Sequence, residues 1–135
     1  MPPRLHLPLA ALLLGAAAPA VGAQVRWQDI GATSTGNRIT VDPRSIRRTG
    51  GLVAATVRIV FATPVQTPQG AWKSGRTKAT FDCAKQSLAA SETVYYADER
   101  GSKVVERKVN KMPGYGVALK GSLGDVAMTY LCKAK

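Results

Sequence analysis

From Gln24 to Val109 apolar and polar residues alternate in short runs, each closed by Gly, Pro, Asn or Asp. A period of two sends successive side chains to opposite faces of a strand, so this stretch is committed to an antiparallel sheet with one apolar face. Six strands are predicted, near Val25–Ile30, Arg38–Asp42, Leu52–Ala62, Arg76–Cys83, Leu88–Ala97 and Lys103–Val109. The third is the clearest, because Val53, Ala55, Val57, Ile59 and Phe61 share a face and Thr56 and Arg58 the other. In the fourth, Ala79, Phe81 and Cys83 face inward while Arg76, Lys78, Thr80 and Asp82 face out. Gly31–Asn37 reads as a loop, Pro43–Gly51 as a turn, and Asp98-Glu99-Arg100-Gly101 as a tight hairpin.

The period changes at the end of the chain. Leu123, Val126, Ala127, Tyr130 and Leu131 recur at three and four residues, which lines them along one helical stripe. Ser122 and Asp125 offer an N-cap and a weak capping box. Cys132 stands at the edge of that stripe and Cys83 on the apolar face of a strand, so a helix lying on the sheet brings the two together. They are the only cysteines. One disulfide is the simplest reading of an even pair in an exported domain; two thiols are too few to hold a metal, and no C-x-x-C spacing marks a redox couple. The predicted fold is α+β, a curved antiparallel sheet with one helix pinned across it.

Residues 1–23 read as a secretory signal. Arg4 supplies the positive start, Leu7–Ala18 the apolar stretch and Val21-Gly22-Ala23 the small-residue cleavage site. Pro8, Gly15 and Pro19 interrupt this run, which is short for a membrane span, and no second span follows. Residues 24–135 then form a single domain. Removing the segment takes away one of 19 basic residues, none of the 8 acidic ones and the sole histidine, leaving a net charge of +10 over 112 residues. A domain without histidine cannot build a Ser-His-Asp or Cys-His nucleophile, a histidine-ligated metal site or an imidazole base. No G-x-S-x-G or P-loop pattern occurs, and Gly114-x-Gly116 has Leu119 where a dinucleotide fingerprint needs its third glycine. Asp98 and Glu99, adjacent in a turn, point apart. The expectation is a protein that is not an enzyme and takes no cofactor or metal.

Trp27 in the first strand, Ile39-Thr40-Val41-Asp42 leading to Arg44-Ser45-Ile46, Phe81-Asp82-Cys83 closing the fourth strand, and Cys132 ending a terminal helix appear in the order found in the surface-adhesin protein E family of bacterial envelope proteins. The chain resembles that family over nearly its whole length after residue 23. The resemblance implies a six-stranded antiparallel sheet whose terminal helix is held to the concave side by a Cys83–Cys132 disulfide. It also implies a binding role, since the best-known members bind host extracellular-matrix and serum proteins. Those members are lipid-anchored; this sequence has no cysteine at the cleavage site, so the expectation is an exported protein without a lipid anchor, periplasmic or released to the cell surface.

The charge is the remaining functional signal. Strand parity puts Arg38, Arg58, Arg76 and Lys78 together on the face away from the core, a candidate site for an anionic glycan, lipopolysaccharide or an acidic host or envelope protein. A second cluster, Arg100, Lys103, Arg107, Lys108 and Lys111, surrounds the hairpin, and Arg44, Arg47 and Arg48 occupy the turn. Net charge that serves only solubility is the plain alternative. Nucleic acid is not expected as a partner, because stacking aromatics are not interleaved with the basic residues. Trp72, read as lying in a Pro/Gln/Gly connector, is the best exposed aromatic contact candidate, followed by Tyr115 between two glycines. Glu92 lies in a strand and, if buried, should pair with Arg or Lys. Exposed strand edges offer a route to a homodimer. A second functional reading is a small periplasmic domain that holds a lipid or solute between sheet and helix.

Overall fold

The computed structural model describes residues 25–133, together with Pro3, Gly15 and Ala16. The secretory-signal expectation for residues 1–23 lies almost wholly outside the described residues. Eight strands and one α-helix follow in order: β1 Gln28–Ala32, β2 Arg38–Val41, β3 Arg47–Thr49, β4 Leu52–Thr67, β5 Gly70–Asp82, β6 Ser87–Tyr96, β7 Val104–Val109, β8 Gly116–Val117 and α1 Leu123–Lys133. They make one curved antiparallel sheet in the order β1-β2-β4-β5-β6-β7, with β3 paired to β4 and β8 to β6. The six predicted strands are all present. The two additional ones, β3 and β8, are three and two residues long and too short to carry an alternation.

The connector read between the third and fourth strands is instead a continuation of both. β4 and β5 stay paired out to Thr67↔Gly70, leaving Pro68 and Gln69 as a two-residue turn. Pro64 lies where the pairing register jumps between Val60 and Val65. A missing N–H costs no ladder bond at such an irregularity.

One face of the sheet packs on the helix. Ile39, Val41, Val53, Ala55, Val57, Ile59, Ala79 and Phe81 meet Ala127, Met128 and Leu131 in one buried cluster. Val41, Val57, Phe81, Ala127 and Leu131 have no solvent exposure, and burying a side chain the size of Phe or Leu contributes about 1.5–3 kcal/mol. The helix is fastened at both ends. At its start the Ser122 side chain accepts the Asp125 N–H at 3.3 Å, and Asp125 Oδ2 reaches back to the Gly121 N–H at 2.8 Å, one residue beyond the N-cap amide that a full capping box engages. At its end the Arg48 guanidinium donates to the Leu131 carbonyl at 2.7 Å, a cation where the helix dipole is negative. The Cys83–Cys132 disulfide closes beside it, joining residues 49 apart in sequence.

The Asp42–Ile46 segment shows why its residues occur together. The Asp42 carboxylate accepts the Arg44 N–H at 3.0 Å and caps a 3-10 turn at Pro43–Ser45. Ser45 Oγ then donates to the Asp42 carbonyl at 2.6 Å and accepts the Thr56 N–H at 2.8 Å. The turn is thereby sewn to β4, and β3 can start.

Candidate functional site

Register fixes which side chains share the face opposite the helix. Arg58 on β4 is the direct partner of Arg76 on β5 and, on its other side, of Thr40 on β2; Arg38 lies one diagonal away, opposite Val60. Lys78 falls in the next row, opposite Thr56 and Glu92. Two arginines placed directly opposite each other on neighbouring strands repel, at a cost of about 0.2–1 kcal/mol.

Around that pair the chain builds a cleft of about 580 Å³, lined by Val25, Trp27, Arg58, Arg76, Tyr96, Arg100 and Gly101. Three segments supply it. The two paired strands give Arg58 and Arg76, the stretch before β1 gives Val25 and Trp27, and the end of β6 with its following turn gives Tyr96, Arg100 and Gly101. The Arg58 guanidinium carbon sits 4.8 Å from the centre of the Trp27 ring, a cation–π contact. Tyr96 is buried. The Nε atoms of Arg58 and Arg76 are buried and make no protein hydrogen bond.

The turn that carries Arg100 is rigid. The Asp98 carboxylate accepts the Ser102 Oγ–H at 2.6 Å, the Lys103 N–H at 2.9 Å and the Ser102 N–H at 3.0 Å. Ser74, fully buried beneath it, donates to the Asp98 carbonyl at 2.6 Å. These bonds, that from the Ser102 hydroxyl foremost, hold the Asp98 carboxyl down at about 2. Asp98 is thus a turn-former, and Glu99 beside it is exposed.

Positive charge is only partly compensated here. Glu92, mostly buried in β6, lies 3.3 Å from Arg107 and 3.7 Å from Arg76, the pairing its strand position called for. Among the described residues neither Arg58 nor Arg100 makes an ion pair. Burial, reinforced by nearby Arg38, pulls the Arg58 guanidinium below its ordinary value, and Glu99 opposes the shift.

Of the sequence-derived candidates, Arg58 and Arg76 therefore meet in one cleft, with Arg38 near enough to act on Arg58 and Lys78 one row away. Arg100, grouped in the sequence with the hairpin lysines, joins them. Trp72 does not. It stands in β5, half-buried, with its ring stacked on Tyr95 at 3.6 Å between centres and 4° between planes. The exposed-loop reading of Trp72 is corrected, because the strand that contains it runs six residues further toward its N-terminus than the Pro/Gly composition suggested. Gly75 makes room for this stack, since a Cβ there would lie 3.2 Å from the Tyr95 ring and 3.3 Å from Ile59. Tyr115 is exposed and away from the cleft. Sequence reasoning missed Val25, Trp27 and Tyr96 as cleft residues, since they come from strand ends and read as core.

Fold and site together define a disulfide-clasped sheet-and-helix domain that concentrates cations on its uncovered face. The family model described as Surface-adhesin protein E matches residues 27–133. The chain belongs to the surface-adhesin protein E family. Among solved structures it is similar to Haemophilus influenzae protein E, with a TM-score of 0.56 and 14% identity to crystal form II over 87% of this chain and 94% of that one. The selenomethionine form gives 0.54 and 16% over the same shares. A protein E structure from non-typeable Haemophilus influenzae gives 0.53 and 16% over 87% of this chain and 82% of that one. At such identities the likeness is one of fold. No curated protein matches the chain. Among the described residues no helix is long and apolar enough to cross a membrane.

Proposed function

We propose that this protein is an exported, non-enzymatic envelope protein, periplasmic or released, that engages an acidic partner through its cationic face. The observation that carries the reading is the opposition of Arg58 and Arg76 in the β4–β5 register, with Arg58 making no ion pair among the described residues. Folding gains nothing from that arrangement, whereas an anion laid across both guanidinium groups turns the repulsion into attraction. Membership of an adhesin family supports a binding role. The space between sheet and helix is occupied by Ala127, Met128, Leu131 and their sheet partners, which favours a surface ligand over one held in the interior.

The test is retention on immobilised heparin, a convenient anionic polymer. The protein should be retained at low salt and released at moderate salt, and the triple variant Arg58→Glu/Arg76→Glu/Lys78→Glu should pass through. Equal retention of wild type and variant would show that the charge acts diffusely and that this face is no binding surface.

A further inference from the structure

We infer that the cleft is a discrete pocket for a sugar ring bearing a phosphate or sulfate ester, with the ester held among Arg58, Arg76 and Arg100 and the ring laid beside Val25 and Trp27. This deepens the proposed function and rests on it. A diffuse cationic face attracts any polyanion, but four observations point to a bounded site with its own chemistry.

The first is size. About 580 Å³ falls in the range of small-molecule pockets, and this half-open cleft is bordered by three separate chain segments. The second is the number of converging cations. A planar carboxylate offers two oxygens and is satisfied by a single guanidinium fork, whereas a tetrahedral ester offers three, which suits three arginines arriving from β4, β5 and the turn after β6. The third is the lining. Exposed Val25 and half-buried Trp27 present apolar and aromatic surface beside the arginines, over a buried Tyr96, which a bare inorganic anion would leave in water and the C–H face of a sugar ring would cover.

The fourth is preorganisation. Arg58 is laid on Trp27 at 4.8 Å, Arg76 is steadied by Glu92, and Arg100 is carried on a turn that Asp98 holds through Ser102 and Lys103. Arg58 and Arg76, whose side chains already have partners, lose little entropy when an anion arrives. A neutral sugar would leave the Arg58–Arg76 repulsion in place, and a bare anion would use only half the walls. Phosphorylated and sulfated sugars share the chemistry that uses both.

The test is titration of the purified protein by two-dimensional NMR, following the indole N–H signals of Trp27 and Trp72, with Trp72→Phe to assign them. Probes are glucose 6-phosphate, glucosamine 6-sulfate, glucose and inorganic phosphate. At least one ester should move the Trp27 signal saturably and leave Trp72 in place, with an affinity at least tenfold above those of glucose and inorganic phosphate, and Arg58→Gln should lower it at least tenfold. The relative strength of the two esters tells phosphorylated from sulfated sources. No saturable shift, equal affinity for inorganic phosphate and both esters, or indifference to Arg58→Gln would overturn the pocket. If heparin retention is nevertheless lost in the charge-reversed triple variant, the cationic-face reading stands and only the pocket falls; if that retention is also unaffected, both fall.

Discussion

Ser34 and Gly121 interlock in front of the helix: the Ser34 N–H donates to the Gly121 carbonyl at 2.9 Å, and a Cβ placed on Gly121 would lie 2.8 Å from Ser34 Cβ. Gly121 also has φ of +77°, a conformation that side chains resist. Gly121→Ala should therefore destabilise by about 2–4 kcal/mol, combining left-handed backbone strain with overpacking. Urea unfolding would measure it, and Ser34→Gly in the same background should recover the steric share.

Replacing Cys83 and Cys132 together by Ser should cost about 4 kcal/mol by the chain-entropy relation for a loop of this size. The comparison is between the double variant and the oxidised wild type by chemical denaturation. Wild type treated with reductant should follow the variant. A loss below about 1 kcal/mol would mean that packing of Ala127, Met128 and Leu131 alone holds the helix down.

Arg58→Gln should separate binding from stability. It relieves a like-charge opposition of about 0.2–1 kcal/mol and forfeits a cation–π contact of about 0.5–1 kcal/mol, so the two nearly cancel. Unfolding free energy should stay within about 1 kcal/mol of wild type, while the salt concentration that elutes the protein from heparin falls. Loss of stability well beyond that range would assign Arg58 a structural duty.

The turn after β6 should persist into acid. Because Asp98 is held at about 2 against an ordinary 3.8, the folded turn binds fewer protons than the unfolded chain between those values. Its contribution is fully present above the ordinary value and is lost as pH falls through about 2. The Asp98 carboxyl carbon shift should report this midpoint directly. Ser102→Ala, which removes the largest cause, should move it back toward 3.8.

The alternation in Val53, Ala55, Val57 and Ile59 was readable because one face of β4 meets the helix and the other does not. The same parity identified Arg58 and Arg76, since residues opposite a buried row must face out. The period change at Leu123 located the helix and, with Phe81, brought the two cysteines to one place. What stayed hidden depends on pairing across distance. The Pro/Gln/Gly composition reads as a connector around Trp72 because no local pattern reveals a register jump or a two-residue turn. Trp27, Tyr96 and Arg100 are a strand approach, a strand end and a turn. Only the curvature of the assembled sheet brings them to Arg58.

The Cys83–Cys132 link makes the last third of the chain a covalent ring that contains β6, β7, β8 and nearly all of α1. Lys111 and Met112 lie exposed on the stretch between β7 and β8, within that ring. Trypsin cutting after Lys111 would thus leave two polypeptides travelling as one particle, of unchanged mobility on a denaturing gel until a thiol is added. A protease that meets the folded protein can nick it there without detaching its carboxyl-terminal piece.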